Sequence, residues 1–280
     1  GSMRLEGSFG MRFENCAFVG NTAKGVNGAK TFASCRGGAL YLKDSTAAAV
    51  GCLFVSNAVN CATGGMSYSP LSSSGGGAVY GTGSCFAATD CVFMYNRADG
   101  RACGNTGIFG AAVHSALCSS AWSFENCLFA RNGGVPTQYT CPTLSTVQFN
   151  GGTGSSYRTL NATFTRCTFA ENRVAANVYT GDAKATVDDS ILVDANDVYL
   201  GVNAGASATL THCAWDRHDA DICRGVYSVD ATSVRCDSPF GTAFTVPADS
   251  PAFGLGYTYP VAPTGSCRTW YVAADGLDTN

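Results

Sequence analysis

The sequence predicts an all-β fold: a right-handed, single-stranded parallel β-helix (a solenoid) with long loop insertions stapled by disulfides. Three observations lead to this prediction. A motif of the form Cys-x-Phe-x-x-Asn recurs along the chain, a Gly-Gly-Ala motif precedes it, and a composition rich in Gly, Ser, Thr and Asn disfavours helices. A pattern repeated from unit to unit is typical of solenoids, in which each coil buries its face against its neighbours.

The recurring motif predicts two columns of side chains inside the solenoid. Its first position is occupied by Cys16, Cys52, Cys91, Cys127, Cys167, Ser190 and Cys213, and the position two residues later by Phe18, Phe54, Phe93, Phe129, Phe169, Leu192 and Trp215. Side chains two residues apart in a strand share a face. We therefore expect a column of small thiols beside a column of aromatic rings, which supplies most of the buried area.

The spacing of the motif indicates the size of one coil. Successive cysteine positions lie 36, 39, 36, 40, 23 and 23 residues apart. The shortest spacing has room for three short strands and three turns, and one such coil advances by one strand spacing, about 4.8 Å. The longer spacings fit one coil plus an insertion of roughly 13–17 residues.

Two further positions of the repeat predict its corners. An asparagine follows the phenylalanine by three residues in five copies: Asn21, Asn57, Asn96, Asn132 and Asn172. Asn suits turns, so these side chains should form a stacked amide ladder. The segments that begin at Gly37 and Gly76 each start 15 residues before the next cysteine, with a looser copy at Gly110. Paired glycines are typical of a place where backbones approach closely.

The 15 cysteines of the chain favour an oxidising, extracellular environment. Those in the column are expected to be reduced core residues. Eight others are candidates for disulfides in the loops: Cys35 with Cys61, Cys103 with Cys141, Cys85 with Cys118, and Cys223 with Cys236. Cys267 would then remain outside these pairs, and spacing alone does not fix any of the pairings.

Composition argues against several classes of function. The net charge is −3, charged residues make up 13% of the chain and no basic stripe is present, so we expect no nucleic-acid partner. No apolar run approaches 18 residues, so we expect no membrane insertion in this segment. The three histidines do not have zinc-finger spacing.

The Gly-Gly-Ala-(Leu/Val) and Phe-x-x-Asn motifs together resemble the polymorphic outer-membrane protein repeat, found in surface β-helices of the pectate-lyase-like superfamily. This resemblance covers roughly residues 13–215 and implies adhesion and surface display. Asp249–Gly254 resembles a segment that often follows the last coil of such helices. Residues 270–280 resemble the opening strand of a pectate-lyase-like domain, so the expected β-helix covers 4–262, and 263–280 is a tail that begins a following module of a larger chain.

The residue before each column cysteine is expected to face outward, which brings Arg166, Asp189 and His212 together on consecutive coils. These three are the candidate catalytic residues, and they would suit a carboxylate-bearing sugar. The alternative interpretation is a solvated ladder of ion pairs. The acidic residues Asp194, Asp197, Asp216 and Asp219 are candidate Ca²⁺ ligands, although their spacing matches no Ca²⁺ loop, and no other cofactor is expected.

The residues that flank the inward phenylalanines are apolar, although they should face outward. They include Ala17 and Val19, Leu53 and Val55, and Val92 and Met94. A strand that is apolar on both faces is normally covered on both. Either the insertions of the chain itself cover this face, or it is an interaction surface for a partner.

Two functions remain open at the level of sequence. The first is a non-catalytic, extracellular module of a cell surface or wall that binds a glycan or a host or cell-surface protein. The second is a polysaccharide-active enzyme: a lyase, a glycoside hydrolase or an epimerase. Four lysines and three histidines are few for acid–base chemistry, which favours the first.

Overall fold

The structure is a computed structural model that describes residues 3–24, 35–61, 74–100, 108–116, 121–134, 145–150, 160–172, 176–181, 183–193, 198–202, 206–216, 223–224, 227–236, 244, 246 and 248–258. The regular elements among these residues are all β-strands. They form three eight-stranded parallel sheets and two small side sheets.

The strands of the three large sheets follow the chain in turn. Sheet 1 contains β1 (Met3–Glu6), β5 (Leu40–Lys43), β10 (Val79–Thr82), β15 (Val113–Ala116), β18 (Ser145–Asn150), β21 (Ala176–Gly181), β24 (Val198–Val202) and β27 (Cys223–Arg224). Sheet 2 contains β2 (Met11–Glu14), β6 (Thr46–Val50), β11 (Cys85–Thr89), β16 (Ala121–Glu125), β19 (Leu160–Thr165), β22 (Ala183–Asp188), β25 (Ser207–Thr211) and β28 (Tyr227–Val229). Sheet 3 contains β3 (Ala17–Val19), β7 (Leu53–Val55), β12 (Val92–Met94), β17 (Leu128–Ala130), β20 (Thr168–Ala170), β23 (Ile191–Leu192), β26 (Ala214–Trp215) and β29 (Val234–Arg235).

Five short strands lie beside this frame. One side sheet joins β4 (Thr22–Lys24), β8 (Ala58–Cys61) and β13 (Arg97–Gly100), and the other joins β9 (Ser74–Gly75) and β14 (Ile108–Phe109). Each coil, numbered 1 to 8 from the N-terminal end, contributes one strand to each large sheet. Neighbouring coils pair in parallel and in register, as in Phe54 opposite Phe93. The chain is therefore an all-β parallel solenoid.

The phenylalanines of the repeat stack along the axis of the solenoid. Neighbouring rings from Phe18 to Phe169 are parallel to within 7°, and their centroids are 4.7–4.9 Å apart. Phe54, Phe93, Phe129 and Phe169 have no exposed surface. Because the ring spacing equals the strand spacing, each coil places its ring directly over the ring of the coil before it.

The thiols form a second buried column. Cys52, Cys91, Cys127, Cys167 and Cys213 are fully buried, whereas Cys16 in the first coil is half-buried. Small groups at this position also receive backbone hydrogen bonds: the amide of Cys167 donates to the Ser190 hydroxyl at 2.9 Å, and the amide of Cys213 donates to that of Ser233 at 2.9 Å. Burial raises the pKa of the Cys213 thiol to about 12, so this side chain is a neutral filler at physiological pH.

The asparagines form the amide ladder at the corner after sheet 3. The side-chain amide of Asn96 donates to Asn132 Oδ1 at 3.0 Å and to the Phe54 carbonyl at 2.8 Å, and its own Oδ1 accepts from Asn57. The same bonds repeat from coil to coil. Asn57, Asn96 and Asn132 are fully buried, so each rung satisfies backbone groups that have no contact with water.

The glycine pair marks a point where two neighbouring coils and strand β13 of the side sheet approach closely. A Cβ atom on Gly77 would lie 2.1 Å from the Ala111 carbonyl oxygen and 2.6 Å from that of Arg97. Both obstacles are backbone atoms of neighbouring segments, so they cannot move aside as a flexible side chain would. Glycine at this position allows the coils to pack at the spacing that the columns require.

The last coil departs from the repeat at the aromatic column. Arg235 pairs with Trp215, which places an arginine where the previous coils have an aromatic ring or leucine. Arg235 is exposed, whereas Trp215 is buried. Among the described residues, the last member of the column is therefore charged. None of the described residues forms a helix with the length and hydropathy needed to cross a membrane.

Candidate functional site

The corner between sheets 2 and 3 carries the candidate catalytic residues. The residue there has a left-handed backbone in coil after coil, with φ values of 52° at Arg166, 48° at Asp189 and 49° at His212. This conformation is unusual for residues other than glycine, and it turns the chain sharply so that the side chain points away from the core. All three side chains lie on the surface.

The structure brings two of the three together. His212 Nδ1 lies 2.6 Å from Asp189 Oδ1, and both side chains are partly exposed. Arg166 instead binds Glu125, with Nη2 2.7 Å from Oε1. The arrangement is thus a His–Asp pair beside an Arg–Glu pair. A carboxylate on one ring nitrogen orients an imidazole for proton transfer at the other, so the first pair has the geometry of an acid–base dyad.

Asp230 holds the backbone next to this dyad. Its Oδ1 accepts hydrogen bonds from the His212 amide at 3.0 Å, the Ser233 amide at 3.1 Å and the Ser233 hydroxyl at 2.7 Å, and its other oxygen accepts from Thr232. The Thr232 and Ser233 hydroxyls are the main reason that the pKa of Asp230 is lowered. Asp230 thus links the turn after β28 to the amide of His212, and this contact fixes the backbone position of His212.

The candidate Ca²⁺ ligands are largely beyond the described residues. Asp194, Asp197 and Asp219 lie outside them, and Asp216 follows β26. Within the ranges that the structure covers, no three His, Cys, Asp or Glu side chains come together in a way that would hold a metal ion. The Ca²⁺ site stays a prediction from sequence.

The loop cysteines show no disulfide among the side chains that are described. The Cys35 thiol contacts the Asn60 carbonyl at 3.3 Å, and the Cys236 thiol lies 3.5 Å from the Ser250 hydroxyl. Every expected pair includes at least one cysteine outside the described side chains, and for the Cys103–Cys141 pair both lie outside them. The others are Cys61, Cys118 and Cys223. The pairings therefore remain predictions.

A row of tyrosines and cations that the sequence did not indicate as a site lies on the outer side of sheet 1. Tyr41 and Tyr80 stack with centroids 5.7 Å apart. The Arg4 guanidinium lies 5.3 Å from the Tyr41 ring and that of Arg36 lies 5.2 Å from the Tyr80 ring. The signal for this row was the fifth position of the Gly-Gly-Ala motif, which carries Tyr41, Tyr80 and His114.

Charge and exposure vary along this aromatic–cation row. At the N-terminal end, Glu6 binds both Arg4 and Lys43, and these contacts lower the pKa of Glu6, chiefly through Lys43. Arg4 is 65% exposed and Lys43 41% exposed as side chains, whereas Tyr80 is buried. The accessible part of the row therefore consists of Tyr41 and its cations.

His114 closes the buried end of the row. Its ring meets Tyr80 edge to face at 5.0 Å and has no exposed surface. Burial, with a smaller contribution from the charge of Arg36, lowers the pKa of His114 to about 3. The imidazole is therefore neutral at physiological pH, and the row carries no charge at this point.

The apolar outer face of sheet 3 is covered over part of its length by the chain that follows the last coil. Leu255 packs in a cluster with Ile191, and Tyr257 packs in another with Leu128. In coils 4 to 6 the outer residues are 0–1% exposed. In coils 1 and 2, by contrast, Val19 is 46% and Leu53 is 44% exposed.

Comparison with known proteins adds no relative. No protein-family model matches the chain, and no curated protein or solved structure does.

Proposed function

We propose that this protein is a non-catalytic, extracellular surface module that binds an acidic glycan along the aromatic–cation row of sheet 1. In this proposal the solenoid is right-handed and similar to the polymorphic outer-membrane protein repeat of the pectate-lyase-like superfamily. Crossover connections between parallel strands of one sheet are right-handed in about 98% of cases, which supports that hand. Asn161, in an Asn-Ala-Thr sequon, is exposed on sheet 2, which fits a secreted chain.

The observation that carries the proposal is the half-exposed Tyr41 ring, flanked by Arg4 and Lys43. An aromatic face binds the apolar face of a sugar ring, and guanidinium and ammonium groups bind carboxylates or sulfates. Arg4, Arg36 and Lys43 outnumber Glu6 and Asp44 here, although the whole chain has a net charge of −3. The row is thus a local positive surface at the N-terminal coils, where an acidic sugar can contact Tyr41 and its neighbouring cations.

The experiment is a panel of acidic and neutral polysaccharides scored for retention of the protein and for release of products. We expect retention on an acidic polymer without product, and a loss of about tenfold or more in affinity for Tyr41→Ala, equivalent to about 1.4 kcal/mol. Tyr95→Ala is the matched control, because Tyr95 is 42% exposed at the corner after sheet 3. Equal binding by Tyr41→Ala and the unmodified protein would disprove the proposed site.

A polysaccharide-active enzyme is the second candidate, and the His212–Asp189 contact favours it. The same panel distinguishes the two functions. Product formation that is abolished by Asp189→Asn, with retention on the polymer preserved, would assign a lyase, hydrolase or epimerase activity to the dyad. Arg131→Gln, which changes a surface ion pair with Glu171 at a different corner, is the control variant.

A further inference from the structure

Coil 1 presents an open strand edge in all three large sheets. In the part of the chain that the structure describes, β1, β2 and β3 each pair with coil 2 on one side and with no strand on the other. The amides of Met3, Asn15 and Gly20 donate to carbonyls of coil 2. Backbone groups alternate in direction along a strand, so those of every second residue point away from coil 2. These residues are Arg4, Glu6, Arg12, Glu14, Ala17 and Val19.

The inward side chains of coil 1 are less covered than those of the coil next to it. Met11 is 38% exposed, whereas its partner in coil 2, Ala47, is 6% exposed. Leu5 is half-buried, whereas its partner Leu42 has no exposed surface. Phe9, at the corner between β1 and β2, is 75% exposed. The edge of coil 1 is therefore an accessible apolar layer bordered by unpaired strands.

The two longer strands of this edge share one charge pattern. β1 is Met-Arg-Leu-Glu and β2 is Met-Arg-Phe-Glu. In each strand the arginine binds the glutamate two positions later, and these four side chains are 46–65% exposed. Exposed pairs of this kind contribute little stability, so they exchange partners at little cost. An antiparallel strand with the same pattern would bring each arginine opposite a glutamate.

A two-fold axis through the corner at Phe9 gives the register in which both strands match. Arg4 and Glu14 each lie five positions from Phe9, and Glu6 and Arg12 each lie three positions from it. Around this axis, Arg4 faces Glu14 of the second copy and Glu6 faces Arg12 of the second copy. All four have backbone groups that point away from coil 2. They are therefore the residues that exchange hydrogen bonds in an antiparallel ladder.

The same axis closes the apolar layer. Leu5 and Phe13, each four positions from Phe9, face one another across the contact on the inner side of the sheets. Each coil has three sides, so an axis that enters at the corner between β1 and β2 leaves through β3, where Phe18 of one copy faces Phe18 of the other. The aromatic stack thus continues from one copy into the next. Charge, backbone direction and apolar burial agree on a single arrangement.

We propose that two copies of this chain associate head to head through coil 1, with β1 of each copy antiparallel to β2 of the other. The occupant of the edge is a second copy because the charge pattern of the edge complements itself. A two-fold contact uses the same edge on both copies, so assembly through it closes at two subunits. This inference does not rest on glycan binding.

The first test measures the mass of the 280-residue protein by sedimentation over a series of concentrations. We expect a dimer, and for Arg12→Glu a dissociation constant higher by about tenfold or more, because Glu6 of the second copy then faces a like charge. Arg97→Glu is the matched control, since Arg97 also binds an acidic residue two positions later and lies in the side sheet. A protein that stays monomeric throughout, or equal dissociation constants for the two variants, would overturn the proposal.

The second test locates the contact. Phe9→Cys places a thiol on the proposed axis, and its exposure means that the change leaves the core intact. A short bismaleimide reagent should join position 9 of one copy to position 9 of the other, as mapped by mass spectrometry. Phe253→Cys, at a side chain that is 62% exposed, is the control and should give no link between copies. Equal yields for the two variants, or links from position 9 only to other positions, contradict the two-fold axis at this corner.

Discussion

At the scale of single residues, the aromatic column provides the clearest energetic prediction. Phe93 has no exposed surface and stacks between Phe54 and Phe129 at 4.7 and 4.8 Å. Phe93→Ala leaves a cavity between two layers that cannot collapse, because the strands on both sides fix the spacing. We expect a loss of about 3–5 kcal/mol in the free energy of unfolding, measured by urea denaturation. Leu53→Ala, on the exposed outer face, should cost less than about 1 kcal/mol.

The amide ladder should be comparably sensitive. Asn96→Ala removes the acceptor for the Asn57 backbone amide and a donor to the Phe54 carbonyl, both in the interior. A buried polar group left without a partner costs about 1–3 kcal/mol, so we expect a total loss of about 2–4 kcal/mol in urea denaturation. Asn60→Ala is the control, because Asn60 is exposed and lies outside the ladder. Equal stability of the two variants would contradict a structural role for the rungs.

His114 should make stability depend on pH. Its pKa in the folded protein is lowered to about 3, so below the pKa of the unfolded chain, near 6.5, the unfolded state binds a proton that the folded state does not. The stabilisation is complete above about pH 6.5 and is lost as the pH falls toward 3. We expect the free energy of unfolding to fall by up to about 1.4 kcal/mol per pH unit in this window. In His114→Gln, the slope between pH 6.5 and 5 should be smaller, and an unchanged slope would contradict this assignment.

At the scale of elements, the close approach at the glycine pair fixes how neighbouring coils fit together. Gly77→Ala would force backbone segments apart, since the new methyl group overlaps carbonyl oxygens of two neighbouring segments. We expect a fall in the thermal midpoint larger than that of Gly20→Ala. Gly20 has a φ of 68° but open space around its Cβ position, so its cost is about 1 kcal/mol of backbone strain. Similar midpoints for the two variants would show that the coils can separate at this point without cost.

Elements that carry the repeat could be predicted from the sequence, and elements formed by distant contacts could not. The phase of Cys, Phe and Asn is visible locally because in-register stacking repeats the same environment every coil. The packing of residues 252–258 on sheet 3 has no such signal, since Thr258 meets Asn126 across 132 positions of sequence. The Arg4 and Arg36 contacts in the aromatic–cation row were missed for a similar reason: these arginines occupy unrelated positions, whereas their tyrosines belong to a motif.

The candidate catalytic row illustrates the same limit. The sequence predicted Arg166, Asp189 and His212 at one corner of neighbouring coils, since each directly precedes the column position of its coil. It did not indicate which of them pair. Glu125, at the end of β16 in the preceding coil, binds Arg166 instead. Which side chains pair depends on their length and rotamer rather than on their spacing in the sequence.

At the scale of the whole molecule, the thiol column should report global unfolding. Cys52, Cys91, Cys127, Cys167 and Cys213 are enclosed by all three sheets and have no exposed surface. We expect these thiols to react with a chromogenic thiol reagent only at the rate of global unfolding, and to become reactive together in urea. Peptide mapping of the labelled protein identifies them. Half-buried Cys85 is the internal reference and should react first, and fast labelling of Cys127 in the native protein would contradict a rigid core.

Arg235 has a consequence for assembly. A stack of parallel strands is open-ended by nature, and a molecule whose two ends matched would add copies without limit and form filaments. A further aromatic layer could cover the Arg235 guanidinium only if this group lost its hydration, which costs several kcal/mol. We therefore expect the charged side chain of Arg235 to disfavour the stacking of a second copy on coil 8.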